Sequence, residues 1–324
     1  MSFATRRSFL SMAGLAAAAY TTRPAFSLGM DAASSPFHIS VINDEISPDF
    51  DHACSVVAQD FGLHWIELRS LWGKGLQDLT DDQLAESEKI LAKYQLRVTD
   101  IASPLFKVNW PGAPLSKESP THDTFSADVT FKKQDELLEK CIALAKRFKT
   151  DKIRCFDFWR IADVAPYRKD INEKLHEAAE KCGAQGIELV IENEPACNTA
   201  TGREAVATLA AVPSKHFFLN WDPGNAVLFG ELDAFPVAWN LLPKQRIHHC
   251  HCKNVVTNAA GKREWSPVDV GIIDWTAQYR ALKAMGYHHA VSLETHWRGG
   301  GTPEASSRIS WAGMKKDLIA AGAF

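Results

Sequence analysis

Four short stretches of this 324-residue chain carry side chains that could hold a cation and move protons. They read Glu192-Asn193-Glu194, Asp222-Pro223-Gly224-Asn225, His248-His249-Cys250-His251-Cys252-Lys253 and Glu294-Thr295-His296. Each closes a run typical of a buried strand, where apolar residues are expected unless the end is functional. Side chains alternate along a strand, so His249, His251 and Lys253 share one face and His248, Cys250 and Cys252 the other. The cysteines suit a face packed on helices, which argues against a Cys-x-Cys zinc site. Glu192, Asp222, His251 and Glu294 then converge as three carboxylates and one imidazole. Such carboxylates repel and take up protons unless a cation neutralises them. Oxygen-rich ligation with one nitrogen suits one divalent ion, Mn²⁺, Mg²⁺, Co²⁺ or Fe²⁺, and admits Zn²⁺. Singly, each residue has a plainer reading. Asp222 could cap a turn, His251 could be a bonded core histidine, and either glutamate could pair with Arg154. Four successive strand ends explained that way is the weaker account.

A cation beside two carboxylates can remove a proton from carbon next to a carbonyl, because the enolate oxygen is stabilised while a base takes the proton. Glu192 and Glu294 are the candidate catalytic pair, one taking the proton and the other returning it. A leaving group β to the carbonyl would instead be expelled. Candidate substrate contacts are Glu67, Trp110, Arg154, His249, Lys253, His296 and Arg298. Arg154 inside a strand needs a carboxylate partner, Glu192 or Glu67. Lys253 serves either an oxyanion or a structural ion pair, and His249 either the site or the core. His296 and Arg298 lead into Gly299-Gly300-Gly301, either a closing loop or a surface turn.

The elements that position these residues alternate. Strands are expected at 38–43, 64–69, 96–101, 152–157, 186–192, 216–221, 246–252 and 288–294, with amphipathic stretches between them. Leu137, Leu138, Cys141, Ile142, Ala145 and Phe148 mark one helical face. Thr80 to Gln83 reads as a capping box. Gly62, Gly183, Gly186 and Gly286 are expected to end helices in left-handed conformations. Eight βα units predict an α/β fold, a (β/α)8 TIM barrel, over 36–324 as one domain. A doubly wound sheet would often show a glycine-rich loop after the first strand, where this chain reads Asn43-Asp44-Glu45. The connection from Ser103 to about Thr130, with four prolines, Phe106 and Trp110, reads either as a surface insertion or as a lid whose Trp110 could stack on a substrate, and the aromatics favour the lid.

Composition is that of a globular protein, with 46% hydrophobic and 23% charged residues and a net charge of −3. The acidic balance gives no footprint for nucleic acid. Thr5-Arg6-Arg7-Ser8-Phe9-Leu10 and the apolar run after it read as a twin-arginine export signal, with residues 1–35 as signal and linker. That predicts a periplasmic or secreted protein handled by the twin-arginine translocation machinery, with no stable membrane anchor. The seven cysteines are scattered and odd in number, and read as buried small apolar side chains.

Together these motifs resemble the sugar phosphate isomerase/epimerase family, the xylose-isomerase-like barrels. The resemblance rests on Glu192-Asn193, Asp222-Pro-Gly-Asn225, His249-Cys-His251-Cys-Lys253 and Leu293-Glu294. It extends to Trp65-Ile-Glu67-Leu-Arg69 and Gly271-Ile-Ile-Asp274-Trp275, covering Phe37 to His296. It implies one divalent metal on Glu192, Asp222, His251 and Glu294. It also implies proton transfer by the two glutamates on a carbohydrate, with a lyase or hydrolase on a 3-keto-glycoside, or a non-catalytic sugar-binding protein, as alternatives. Asn225 stands where ketose epimerases place a substrate-contacting histidine, and the resemblance makes it a further candidate substrate contact. Glu194 stands where relatives often have histidine. A homo-oligomer is left open.

Overall fold

The β-branched and aromatic runs form eight parallel strands: β1 His38–Val41, β2 Trp65–Leu68, β3 Arg97–Leu105, β4 Lys152–Cys155, β5 Glu188–Glu192, β6 Phe217–Trp221, β7 Ile247–Cys252 and β8 Ala290–Leu293. The computed structural model describes residues 34–119 and 130–324. The expected export signal therefore lies outside the described residues. Sheet order is β1-β8-β7-β6-β5-β4-β3-β2, and a parallel bridge from Ile42 to Glu67 joins the two ends. This is the expected (β/α)8 barrel.

Helices α1 Phe50–Ser55, α2 Asp81–Tyr94, α3 Gln134–Arg147, α4 Arg168–Gly183, α5 Gly202–Ala211, α6 Pro223–Phe229, α7 Trp275–Ala284 and α8 Pro303–Ala320 follow the strands in turn. Both halves of the Thr80–Gln83 capping box form. Strand residues such as Ile39, Ile66, Leu189, Cys250 and Leu293 pack in one apolar cluster with helix residues such as Leu137, Leu175 and Leu209. All seven cysteines are free and buried, as expected of small apolar side chains. No helix of the described residues is long and apolar enough to cross a membrane.

Two expectations are corrected. Gly62, Gly186 and Gly286 do take positive φ, but Gly183 does not. It ends α4 against the His216 ring, which an added Cβ would meet at 2.0 Å. The third strand also runs on to Leu105, taking Ser103 and Pro104 out of the expected lid. The next segment is tied down: Leu115 bridges Ile161, and Ser116 N–H donates to the Arg160 carbonyl. Residues 120–129 lie outside the described residues.

The barrel end formed by the strand N-termini collects imidazoles, Lys152 and the carboxylates of Glu188 and Asp151. Glu188 meets His248 Nδ1 at 2.8 Å and Lys152 Nζ at 3.2 Å. Burial opposes its ionisation, but these partners hold its carboxyl at about 2. His289 stacks on His248 at 4.0 Å, and burial with His248 and Lys152 pushes it down to about 2. Unfolding releases both shifts, so the unfolded chain binds more protons in acid and stability falls with pH. The His289 contribution is lost as pH drops below its ordinary 6.5, and that of Glu188 below its ordinary 4.5. We expect His289→Phe to make the calorimetric midpoint fall less, relative to wild type, between pH 6.5 and pH 4.5. The same pH profile in variant and wild type would contradict the assignment.

Candidate metal centre

The strand C-terminal ends deliver the four candidate ligands to one spot, with their ligand atoms within 4.8 Å of one another. Glu192 ends β5. Its Oε2 accepts from Arg154 Nη1 at 3.0 Å, and its Oε1 accepts from Asn225 Nδ2 at 3.0 Å. Asn193 clamps the next strand end: its Oδ1 accepts the Asp222 N–H at 2.9 Å, and its Nδ2 donates to the Asp222 carbonyl at 2.7 Å. The Glu-Asn pair thereby ties one ligand to the position of the next. Asp222 also caps α6, accepting the Asn225 N–H at 2.8 Å, so its turn-capping and cluster roles coexist. Gly224 lets Lys253 lie close, since a Cβ there would meet Lys253 Cγ at 2.7 Å.

His251 enters from β7 on the face shared with His249 and Lys253, as the alternation requires. Its Nδ1 lies 3.2 Å from Glu192 Oε1, 3.2 Å from Glu294 Oε2 and 3.7 Å from Asp222 Oδ2. Glu294, after β8, is gripped by Arg69 Nη1 at 3.1 Å and by Lys253, with His296 Nε2 at 3.5 Å. All four ligand candidates are buried.

Charge decides what this cluster can hold. Seven carboxyl groups meet in and around it: Asp44, Glu45, Glu67, Asp100, Glu192, Asp222 and Glu294. Four fixed cations face them: Arg69, Arg154, Lys253 and Arg298. With every group ionised, three negative charges remain for histidine protonation or a bound cation to offset. Burial raises the Glu192 carboxyl, yet His251 and Arg154 bring it to about 2. Glu294 is likewise held well below its ordinary range, against burial, by Lys253, His296 and His251. His251 is driven well upward, against burial, by Glu67, Glu192 and Glu294. A buried set of ionised oxygens around one imidazole nitrogen fits a divalent cation.

Binding to the folded chain alone would stabilise it by about 4 kcal/mol at 1,000-fold excess over Kd. Mn²⁺ is expected to raise the thermal midpoint by several degrees, and Asp222→Asn to remove most of that rise. Scanning fluorimetry with and without EDTA checks this.

A family model described as xylose isomerase-like TIM barrel matches residues 56–316. The chain belongs to this family. Among curated proteins, no sequence matches it. Solved structures share the family fold. A xylose isomerase-like TIM barrel protein from Mycobacterium smegmatis in complex with magnesium aligns with TM-score 0.64 and 17% identity, over 90% of this chain and 99% of that one. The probable 3-DHS dehydratase AsbF from Bacillus anthracis gives 0.62 and 22%, over 87% and 98%. D-psicose 3-epimerase from Clostridium cellulolyticum H10 gives 0.62 and 15%, over 88% and 98%.

In this xylose isomerase-like barrel a cavity of about 410 Å³ opens over the cluster, lined by Glu192, Glu194, Glu294, His296, Arg154, Arg69, Lys107 and Phe156 among others. Of the expected substrate contacts, Arg154 and His296 line it. Glu67 and His249 lie beneath the ligands, fully buried. Asn225 is spent on Glu192 and the Asn193 carbonyl. Lys253 ion-pairs with Asp222 at 2.6 Å and with Glu294. Arg298 reaches Glu45. Trp110 packs edge-on against Phe158 and Phe131, with ring centroids 4.8 and 5.2 Å away, and is not among the lining residues. Its aromatic partners come from other segments of the chain.

Four residues at the site escaped sequence reasoning as site residues. Arg69 binds Asp44, Glu45 and Glu294 at once. Glu45 sits buried in the turn after β1, held at about 2 by Arg69, His296 and Arg298 against its burial. Lys107 approaches Glu194 at 3.9 Å on the cavity wall. Asp100 is buried in β3, and burial with the Glu67 charge pushes it up to about 6. For Arg69 and Glu45 a signal existed: charges directly after strands one and two occupy the same barrel rim.

Proposed function

We propose that this protein catalyses proton transfer at a carbon beside the carbonyl of a carbohydrate, with a divalent metal ion, giving isomerisation or epimerisation. The supporting observation is the pair of ionised glutamates, Glu192 and Glu294, that both line the cavity and share the cation-ligand cluster. A bound divalent ion, held by Glu192, Asp222, His251 and Glu294, would supply Lewis-acid stabilisation of enolate charge. The chain's own residues do the rest. Arg154 and Asn225 fix the Glu192 carboxylate, and Arg69 and Lys253 fix that of Glu294, so either base meets the substrate already oriented. His296, Lys107 and Glu194 stand on the wall as donors and acceptors for hydroxyl groups.

A second reading is elimination from a 3-keto-glycoside, with the same abstraction followed by loss of a β substituent. The Arg6-Arg7 export signal favours it, because it would send the enzyme away from the cytoplasmic sugar phosphates. Likeness to a dehydratase agrees with it. In either reading the substrate is a small carbohydrate, and we place the mature protein in the periplasm or outside the cell.

Proton NMR in D₂O tests the proposal. The Mn²⁺-loaded protein is incubated with ketoses, aldoses and 3-keto-glycosides, the metal is removed by chelation, and the sugars are read. Deuterium at a sugar carbon is expected, and its position distinguishes isomerisation, epimerisation and elimination. Sugar binding with no exchange at any carbon would leave a binding protein in its place.

A further inference from the structure

Beneath the four ligand candidates a second line of fully buried groups runs down the barrel axis. Glu67, on β2, spans two histidines of β7. Its Oε1 lies 3.0 Å from His251 Nε2 and its Oε2 lies 3.1 Å from His249 Nε2. His249 Nδ1 faces Asp100 Oδ1 at 3.6 Å, and that oxygen accepts the Thr99 hydroxyl at 2.9 Å. None of Glu67, His249 or Asp100 lines the cavity, so a substrate there does not reach them.

We propose that Glu67 is a positioning residue of the cation site, with His249 and Asp100 backing it. This rests on reading His251 as a cation ligand. An imidazole can turn about its outer torsion, and its two nitrogens are chemically distinct. Only one setting aims Nδ1 at Glu192, Asp222 and Glu294 together. Glu67 holds that setting by accepting from Nε2–H, which leaves the Nδ1 lone pair for the cation. A carboxylate on the far nitrogen also makes the ligand more basic. Asn220 Nδ2 lies 3.1 Å from the same Nε2, while its buried Oδ1 has no partner. A turned amide would add a second acceptor for that N–H. Glu67 is itself aimed from two sides, through His249 and through the Ile42–Glu67 bridge that closes the barrel. The same residue therefore contributes its backbone to the bridge between the barrel's two ends and its side chain to the His251 ring.

The test uses Co²⁺ with the full-length metal-free protein, reading affinity by calorimetry and ligand geometry from the visible Co²⁺ spectrum. Glu67→Gln is expected to raise the Co²⁺ Kd about 10- to 100-fold and to change the spectrum. Asp100→Asn, one step further away, is expected to raise it less, by about 2- to 5-fold, and keeps the test open if the first variant does not fold. The metal-free thermal midpoint is measured in parallel. A lower midpoint with wild-type Kd and spectrum in both variants would make these residues purely structural and overturn the inference. Wild-type protein with no Co²⁺ affinity would overturn the metal reading itself, and this inference with it.

Discussion

Glu294→Gln is expected to lower kcat/KM at least 100-fold and to abolish deuterium incorporation, while the fold survives. The expectation comes from what the carboxylate does. It is one of two glutamates on the cavity floor, and Arg69, Lys253 and His296 hold it ionised in a single orientation. A positioned acid–base group contributes about 100- to 10,000-fold. Glutamine keeps the shape and can still accept from Arg69, but it cannot take a proton from carbon. It also weakens the cation cluster by one charge, so the assay must be run at saturating Mn²⁺. A loss that persists there, in kcat and not only in apparent metal affinity, belongs to proton transfer. Glu294→Gln that turns over within about threefold of wild type at saturating metal would exclude Glu294 as the base.

Arg154→Met is expected to cost about 3–5 kcal/mol of stability, the range for removing one partner of a buried ion pair. Both partners are nearly solvent-free, at 7% and 2% side-chain exposure. The guanidinium also donates to the Ala102 carbonyl at 3.1 Å. Its removal takes the fixed cation from a buried carboxylate that keeps only Asn225 and His251 as partners, while methionine restores most of the lost volume. A chain of this size loses roughly 2–4 °C per kcal/mol, so the midpoint should fall on the order of 10 °C. The double variant Arg154→Met/Glu192→Gln should lose less than the single one, because the stranded charge is gone. Equal losses in single and double variants would mean that Arg154 acts through packing and not through its pair with Glu192.

The site was legible in sequence to an uneven depth, and the unevenness has a cause. Alternation along β7 predicted that His249 and His251 share a face away from Cys250 and Cys252. Side chains on a strand have no other choice. Arg154 was assigned a carboxylate partner because a buried unpaired guanidinium is too costly to exist. Trp110 was expected over the substrate and packs elsewhere, because its neighbours Phe131 and Phe158 lie on other segments. Arg69, Glu45 and Lys107 were missed as site residues for the same kind of reason. A charge at a strand end or in a loop reads as solvated until the fold supplies its partners, even where, as for Arg69 and Glu45, its place on the barrel rim is a signal.

The sequence by itself determined the element order, the barrel and the strand ends that carry ligand chemistry. These follow from local periodicity and from the free-energy cost of burying charge. Only the tertiary structure decided which nitrogen of His251 faces the carboxylates. It also decided that Glu67 and Asp100 lie under the cluster and that Lys253 is held between Asp222 and Glu294. Those are pairings between strands far apart in the chain. They form only once the barrel closes and side chains from opposite walls come within hydrogen-bonding distance.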